Sequence, residues 1–175
     1  MVSRLLPASF SENITSKLGP TMFPRFLESM DAEVPVSIRI NHQKMSKPVD
    51  LEQVAWCKSG FYLAERPIFT LDPAFHSGAY YVQEASSMFI GYILEKIEIS
   101  NNGLKILDLS AAPGGKSTLI ASILNGKGLL VANEIIKNRA QILKENIIKW
   151  GSGNVVVTNN EPKDFFALDK YFDLI

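Results

Sequence analysis

A short apolar strand that breaks into small residues and then re-enters a helix is the feature that most narrows what this chain can fold into. Residues 104–109 read Leu-Lys-Ile-Leu-Asp-Leu, with Asp108 near the carboxyl end. Residues 110–115 follow as Ser-Ala-Ala-Pro-Gly-Gly, and an apolar-periodic segment begins at Lys116. Open α/β sheets place small ligands at strand ends with this strand, tight turn and helix. Glycine lets the backbone come close to a ligand, and the helix amino terminus offers N–H groups that no helical bond satisfies.

The downstream sequence repeats the unit. Leu119, Ile120, Ile123 and Leu124 form a helical stripe that Asn125-Gly126 closes. Residues 128–133 are nearly all apolar, as expected of a parallel strand buried on both faces. Ile136, Ala140, Leu143, Ile147 and Trp150 then step by four, three, four and three, predicting a helix that Gly151 ends. The basic residues Lys137, Arg139, Lys144 and Lys149 read as its solvated side. A third strand is expected over residues 154–158. Alternating strands and helices predict a parallel sheet.

Two ligand classes compete for the loop. A triphosphate loop requires G-x-x-x-x-G-K-[ST], and Gly115-Lys116-Ser117 supplies its second half. Ser110 stands where the first glycine belongs, and Pro113 lacks the N–H that such a loop presents. Glu134 ends the second strand nineteen residues after Gly115. An acidic residue about 20 positions past the glycines is placed to accept hydrogen bonds from both hydroxyls of a ribose. The spacing favours an adenosine-containing ligand, with a P-loop-like nucleotide-binding protein as the alternative.

The string Asp-Leu-Ser-Ala-Ala-Pro-Gly-Gly-Lys-Ser over residues 108–117 resembles the cofactor loop of the Sun/RsmF-type RNA (cytosine-5) methyltransferases. Two further stretches share the resemblance. Pro35, Ser37, Arg39 and Asn41 match a Pro-x-Ser-x-Arg-x-Asn strand, and residues 78–87 match a Gly-x-Tyr-Tyr-x-Gln-Glu-x-Ser-Ser string. The resemblance implies S-adenosylmethionine as cofactor, held by Ser110, Ala111, Ala112, Pro113, Gly114, Gly115 and Lys116. It makes Glu134 the ribose acceptor and Glu161 the acceptor of the adenine amine, where the family usually carries aspartate. RNA is the implied partner, ribosomal rather than transfer, and Arg39 is the candidate RNA contact, with an ion pair as the plainer reading.

The expected fold is α/β: a truncated Rossmann-like methyltransferase domain over residues 81–175, preceded by a small α+β region over residues 1–80 that is a possible RNA contact. Proline breaks the first 35 residues into short helices, the first ending at Gly19-Pro20 and a second spanning 22–30. Strands are expected over 36–41 and 57–63, a helical turn over 50–54, and a turn over 100–103. A helix over 84–97 should bury Met88, Tyr92 and Ile93, leaving Gln83, Ser86 and Ser87 near the strand ends or merely capping.

Composition bounds the function. Eighteen basic and eighteen acidic residues leave no net charge, so any nucleic-acid surface has to be local. No apolar run approaches the roughly 18 residues that would predict a membrane span. One cysteine, Cys57, permits no internal disulfide, suits the cytoplasm, and reads as packing rather than a nucleophile. His42 and His76 have no companions at metal spacing, so no metal is expected. Residues 171–175 read as the start of a fourth strand. In the family that strand continues into Asp-Ala-Pro-Cys, so the reactive cysteines are expected beyond Ile175 and the 175 residues are expected to be inactive alone. A non-catalytic RNA-binding module is the remaining alternative.

Overall fold

A computed structural model of the chain describes residues 6–97 and 103–175. Two compact units form, Met1–Pro35 and Val36–Ile175.

In the first unit, helix α1 (Ala8–Asp31) is broken at Gly19, whose φ of 76° and ψ of 169° are not helical. Pro20 follows, where its missing N–H and fixed φ suit the start of a new helix. The rings of Phe10 and Phe26 lie 6.4 Å apart, whereas an unbroken helix would hold these positions roughly 24 Å apart. The break therefore folds the two halves into a hairpin, as the Gly-Pro step predicted.

The second unit contains two sheets. Strand β1 (Val36–Ile40) lies between β2 (Gly60–Leu63) and β3 (Tyr80–Val82), antiparallel to both, with Arg39 opposite Gly60 and Tyr81. Ile38 and Ile40 pack with Phe61, Phe69 and Tyr80, while Ser37 and Arg39 on the opposite face are also buried. Residues 50–54 do not form the expected helical turn. They run beside β2, with the Val54 N–H donating to the Gly60 carbonyl at 2.9 Å and that of Tyr62 to Glu52 at 2.8 Å. An edge that would otherwise expose unpaired backbone groups is covered in this way. Strand β2 starts three residues later than expected because Cys57 closes a turn onto Val54.

Between β2 and β3, Asp72 caps the short helix α2 (Pro73–His76), accepting from the Ala74 N–H at 2.8 Å and the Tyr80 hydroxyl at 2.5 Å. These bonds hold its carboxyl below its ordinary pKa, the Tyr80 bond most strongly, while burial first and the bond to Asp72 second push the Tyr80 phenol upward. A carboxylate with a depressed folded pKa contributes stability above its unfolded pKa that is lost as pH falls through the folded value. The melting-temperature advantage of the native chain over Asp72→Asn is therefore expected in full at neutral pH, should begin to shrink below about pH 4, and should be gone once the pH is below the depressed folded value. An advantage that persists unchanged at pH 2 would remove this assignment.

Helix α3 (Ala85–Lys96) buries Met88, Gly91 and Leu94. The expected face was different: Tyr92 and Ile93 are 41% and 43% exposed. Gly91 explains the rotation, since a Cβ there would lie 3.1 Å from the Leu119 side chain of the neighbouring helix. The helices meet at this glycine. The turn expected over 100–103 lies almost wholly outside the described residues.

The second sheet is parallel, ordered β4 (Lys105–Asp108), β5 (Leu129–Asn133), β6 (Val155–Thr158). Helix α4 (Gly115–Leu124) connects the first pair of strands and α5 (Lys137–Trp150) the second. Ile106, Ile120, Leu124 and Leu130 form one core with Leu94; Ala111, Ala112, Ala132, Leu143 and Ile147 form another. The expected fourth strand appears as one parallel bridge, Leu174 beside Ile106, on the free side of β4. Nearly all segments found from periodicity match to within a few residues. The expected division at residue 80 falls at the start of β3, which pairs with β1.

Candidate functional site

The loop between β4 and α4 is held from three directions. Asp108, at the end of β4, accepts from the Ser117 hydroxyl at 2.7 Å and so ties the strand end to the first turn of α4. The Ala111 N–H donates to the Asn133 carbonyl at 2.8 Å, fixing the loop to the end of β5. The Ala112 carbonyl accepts from Arg139 at 2.9 Å, and that of Pro113 from Asn146 at 2.8 Å and the Tyr81 hydroxyl at 3.1 Å. Ala111 and Ala112 are buried against Leu143 and Ile147 of α5, which explains why they are small. The Ala112–Pro113 peptide is cis.

Gly114 precedes α4 with φ at 112°, and a Cβ there would also come within 3.2 Å of Leu143. Its left-handed backbone strongly favours glycine. The first amides of α4, from Gly115 onward, have no intrahelical acceptor, as in any helix. Ser110, Pro113 and Lys116 are exposed, while Ala111, Ala112 and Gly114 are buried.

Glu134 stands one residue past β5, and the parallel register (Asp108 beside Ala132) brings it to the same end of the sheet as the loop. It is 2% exposed. One carboxylate oxygen accepts from the Ile136 N–H at 3.1 Å. The other, Oε2, has no hydrogen bond. Arg139 Nη1 lies 3.4 Å from it, an ion-pair distance without an aligned bond. A buried anionic oxygen with spare acceptor capacity suits a ligand that brings hydroxyl donors.

Asn133 stabilises the strand ends around Glu134. Its amide donates to the Leu109 and Asn160 carbonyls at 3.2 and 3.0 Å, and its oxygen accepts from the Thr158 hydroxyl and the Asn160 N–H, both at 2.9 Å.

Glu161 lies beyond β6 and begins the 3-10 helix Pro162–Leu168, in a reciprocal cap with Asp164. Its carboxylate is also 2.5 Å from Lys163 Nζ. Unlike that of Glu134, this carboxylate is exposed and already has two partners.

Arg39 departs furthest from expectation. It is fully buried, so neither a solvent-facing RNA contact nor a surface ion pair is open to it. Its Nε donates to Gln83 Oε1 at 2.8 Å, and Nη2 to Thr118 Oγ1 at 2.5 Å and the Gly115 carbonyl at 3.3 Å. The guanidinium lies 4.4 Å over the Trp150 ring. Gln83, expected near the strand ends or in a cap, instead orients this arginine behind the loop. Arg139 is on the solvated side of α5, as the spacing predicts, and its half-exposed side chain also joins the Ala112 carbonyl to Glu134. Its signal was its position in the first turn of α5, five residues after Glu134, where a side chain can still reach the strand ends.

Cys57 is buried beside Val54 and Met88, as its packing role predicted. Among the described residues no group of three His, Cys, Asp or Glu side chains could hold a metal, and no helix is long and apolar enough to cross a membrane.

Known proteins resemble the chain over nearly its whole length. It is 34% identical to ribosomal RNA small subunit methyltransferase F of Aeromonas salmonicida, over 97% of this chain and 39% of that protein. The enzyme of the same name from Pectobacterium atrosepticum matches at 34% over 97% and 38%. The chain thus spans about two fifths of the length of these curated relatives. A methyltransferase homologue from Pyrococcus horikoshii superposes with a TM-score of 0.75 at 27% identity, over 97% of this chain and 62% of that one. NSun6 from the same organism, solved with SFG, shares the fold with a TM-score of 0.71 at 17% identity, over 92% and 67%. The family model for the N-terminal domain of 16S rRNA methyltransferase RsmF matches residues 6–85, and that for 16S rRNA methyltransferase RsmB/F matches residues 96–175. Matched almost end to end by these two models, the chain belongs to the RsmB/F family of 16S rRNA methyltransferases.

Proposed function

We propose that this chain carries the cofactor-holding part of an S-adenosylmethionine-dependent RNA (cytosine-5) methyltransferase that acts on ribosomal RNA in the cytoplasm. The observation that carries the reading is Glu134 Oε2, a buried carboxylate oxygen without a hydrogen bond, beside a glycine loop at the same sheet end. Its chemistry fits the two ribose hydroxyls of an adenosine. The loop from Ser110 to Lys116 is the proposed cradle for the methionine moiety, its first-turn amides suiting the carboxylate. Glu161 is the proposed acceptor for the adenine amine, which would compete with Lys163 for it.

The bound cofactor supplies an electrophilic methyl group. The chain's residues position it: Arg139 and Asn146 fix the loop carbonyls, and Asn133 fixes the strand ends. Carbon 5 of cytosine needs a covalent thiolate partner to become nucleophilic. The one thiol here, Cys57, is buried in a separate cluster, so these 175 residues by themselves are expected to transfer no methyl group. Residues 1–80 are the proposed RNA-contacting region and residues 81–175 the cofactor half.

Titration calorimetry with S-adenosylhomocysteine, ATP and GTP tests the reading. Binding of S-adenosylhomocysteine alone is the expected result. Magnesium-dependent binding of a triphosphate, without S-adenosylhomocysteine binding, would replace this reading with a P-loop one.

A further inference from the structure

A cleft of about 310 Å³ lies between the antiparallel sheet and α5, at the flank of the cofactor loop, where Pro113 forms part of its wall. Its lining is aromatic. Phe75, Tyr80, Tyr81 and Trp150 all face it, Phe75 and Tyr81 being only half-buried. The rings form two pairs along the cleft, Phe75 6.1 Å from Tyr80 and Tyr81 6.5 Å from Trp150 between centroids. Two cations join the lining: Lys149 Nζ lies 5.2 Å from the Phe75 ring and the Arg66 guanidinium 5.6 Å from that of Phe69. None of the lining residues is acidic. Asp72, behind the wall, is engaged by the Tyr80 hydroxyl and the Ala74 amide.

Accessible rings flanked by cations, in a cleft of nucleoside size, have the chemistry of a single-stranded nucleic-acid platform. A base stacks on the ring face and its phosphates meet the cations. A neutral chain can still bind RNA through such a local site, because only the contacted phosphates need compensation. An acidic peptide would satisfy Lys149 and Arg66 but would leave the ring faces without a stacking partner.

We infer that this cleft binds an unpaired ribonucleotide of the RNA substrate, stacking its base on Phe75 and Tyr81 and placing its phosphates against Arg66 and Lys149. The site lies beside the cofactor loop, lined by Pro113 and by Asn146 and Lys149 of α5 but not by Glu134. It grips a nucleotide flanking the target rather than the target itself, and the inference rests on the RNA-methyltransferase reading.

Fluorescence anisotropy of the 175-residue chain with a labelled unstructured oligouridylate tests it. The double variant Arg66→Gln, Lys149→Gln should bind about tenfold more weakly, with a salt slope shallower by about 1.4, two phosphates at ~0.7 each. Phe75→Leu, which keeps the apolar volume but removes the π-face, should also cost roughly tenfold. Photo-cross-linking with a 4-thiouridine oligomer should modify the peptide containing Phe75 and Tyr81. Unchanged affinity in variants that melt like the native chain would overturn the inference. So would cross-links confined to other surfaces, absence of RNA binding by the native chain, or equal competition by polyglutamate. S-adenosylhomocysteine calorimetry on the same proteins separates the two readings. An intact isotherm with no RNA effect removes the cleft and leaves the cofactor site standing.

Discussion

Arg39→Ala is expected to destabilise the chain by about 3–5 kcal/mol, which at this length lowers the melting temperature by roughly 10 °C. The native guanidinium is buried and its hydrogen-bond partners are neutral: Gln83, Thr118, Ser122 and the Gly115 carbonyl. Desolvation brings its pKa down to about 10. A base whose folded pKa lies below its unfolded value is charged at a cost to stability at all pH values below about 10. The hydrogen bonds and the Trp150 face offset that cost. Truncation to alanine leaves a cavity and unsatisfied buried acceptors together, the two mechanisms behind the largest single-residue losses. Arg39→Met, which fills the space and abolishes the charge, should be distinctly milder in a thermal melt. A methionine variant as unstable as the alanine one would mean that the hydrogen bonds outweigh the volume. Because Arg39 reaches Gly115 and Thr118 from β1, Arg39→Lys should also weaken S-adenosylhomocysteine binding about tenfold. The ammonium cannot span the same acceptors as the fork.

Glu134→Ala is expected to weaken S-adenosylhomocysteine binding at least 100-fold, with a much smaller effect on folding. Hydrogen bonds to a charged acceptor contribute about 1.5–3 kcal/mol each, and the proposed ribose would make two. The stability effect should be modest because Oε2 has no hydrogen bond to lose and Arg139 is half exposed. Glu134→Gln should fall between, since an amide offers one acceptor and presents a donor where a second hydroxyl arrives. Calorimetry of the three proteins, with melting curves recorded in parallel, checks the order. Equal affinities for the alanine variant and the native chain would remove Glu134 from the site and with it the main support for an adenosine ligand.

The parallel β–α–β–α–β unit, the break at Gly19-Pro20 and the position of Glu134 are legible in the residues alone. Each depends on local periodicity, on residues that tolerate special backbone angles, or on a fixed spacing along the chain. The role of Arg39 depended on tertiary structure. Alternation in residues 36–40 separates Ser37 and Arg39 from the apolar positions, and nothing local reveals that this second face is covered by α4 and Trp150. The buried face of α3 shares only Met88 with the face its periodicity predicts, for a related reason. Tyr92 and Ile93 are apolar and correctly spaced, yet Gly91, through the approach of Leu119, decided which side packs. Likewise Arg139 looks like one more surface cation until β5 places Glu134 beneath it and the loop brings the Ala112 carbonyl within reach. Helical and extended periods report which residues can share a face. Only the packed chain decides what that face meets, because the partners are fixed by contacts tens of residues apart.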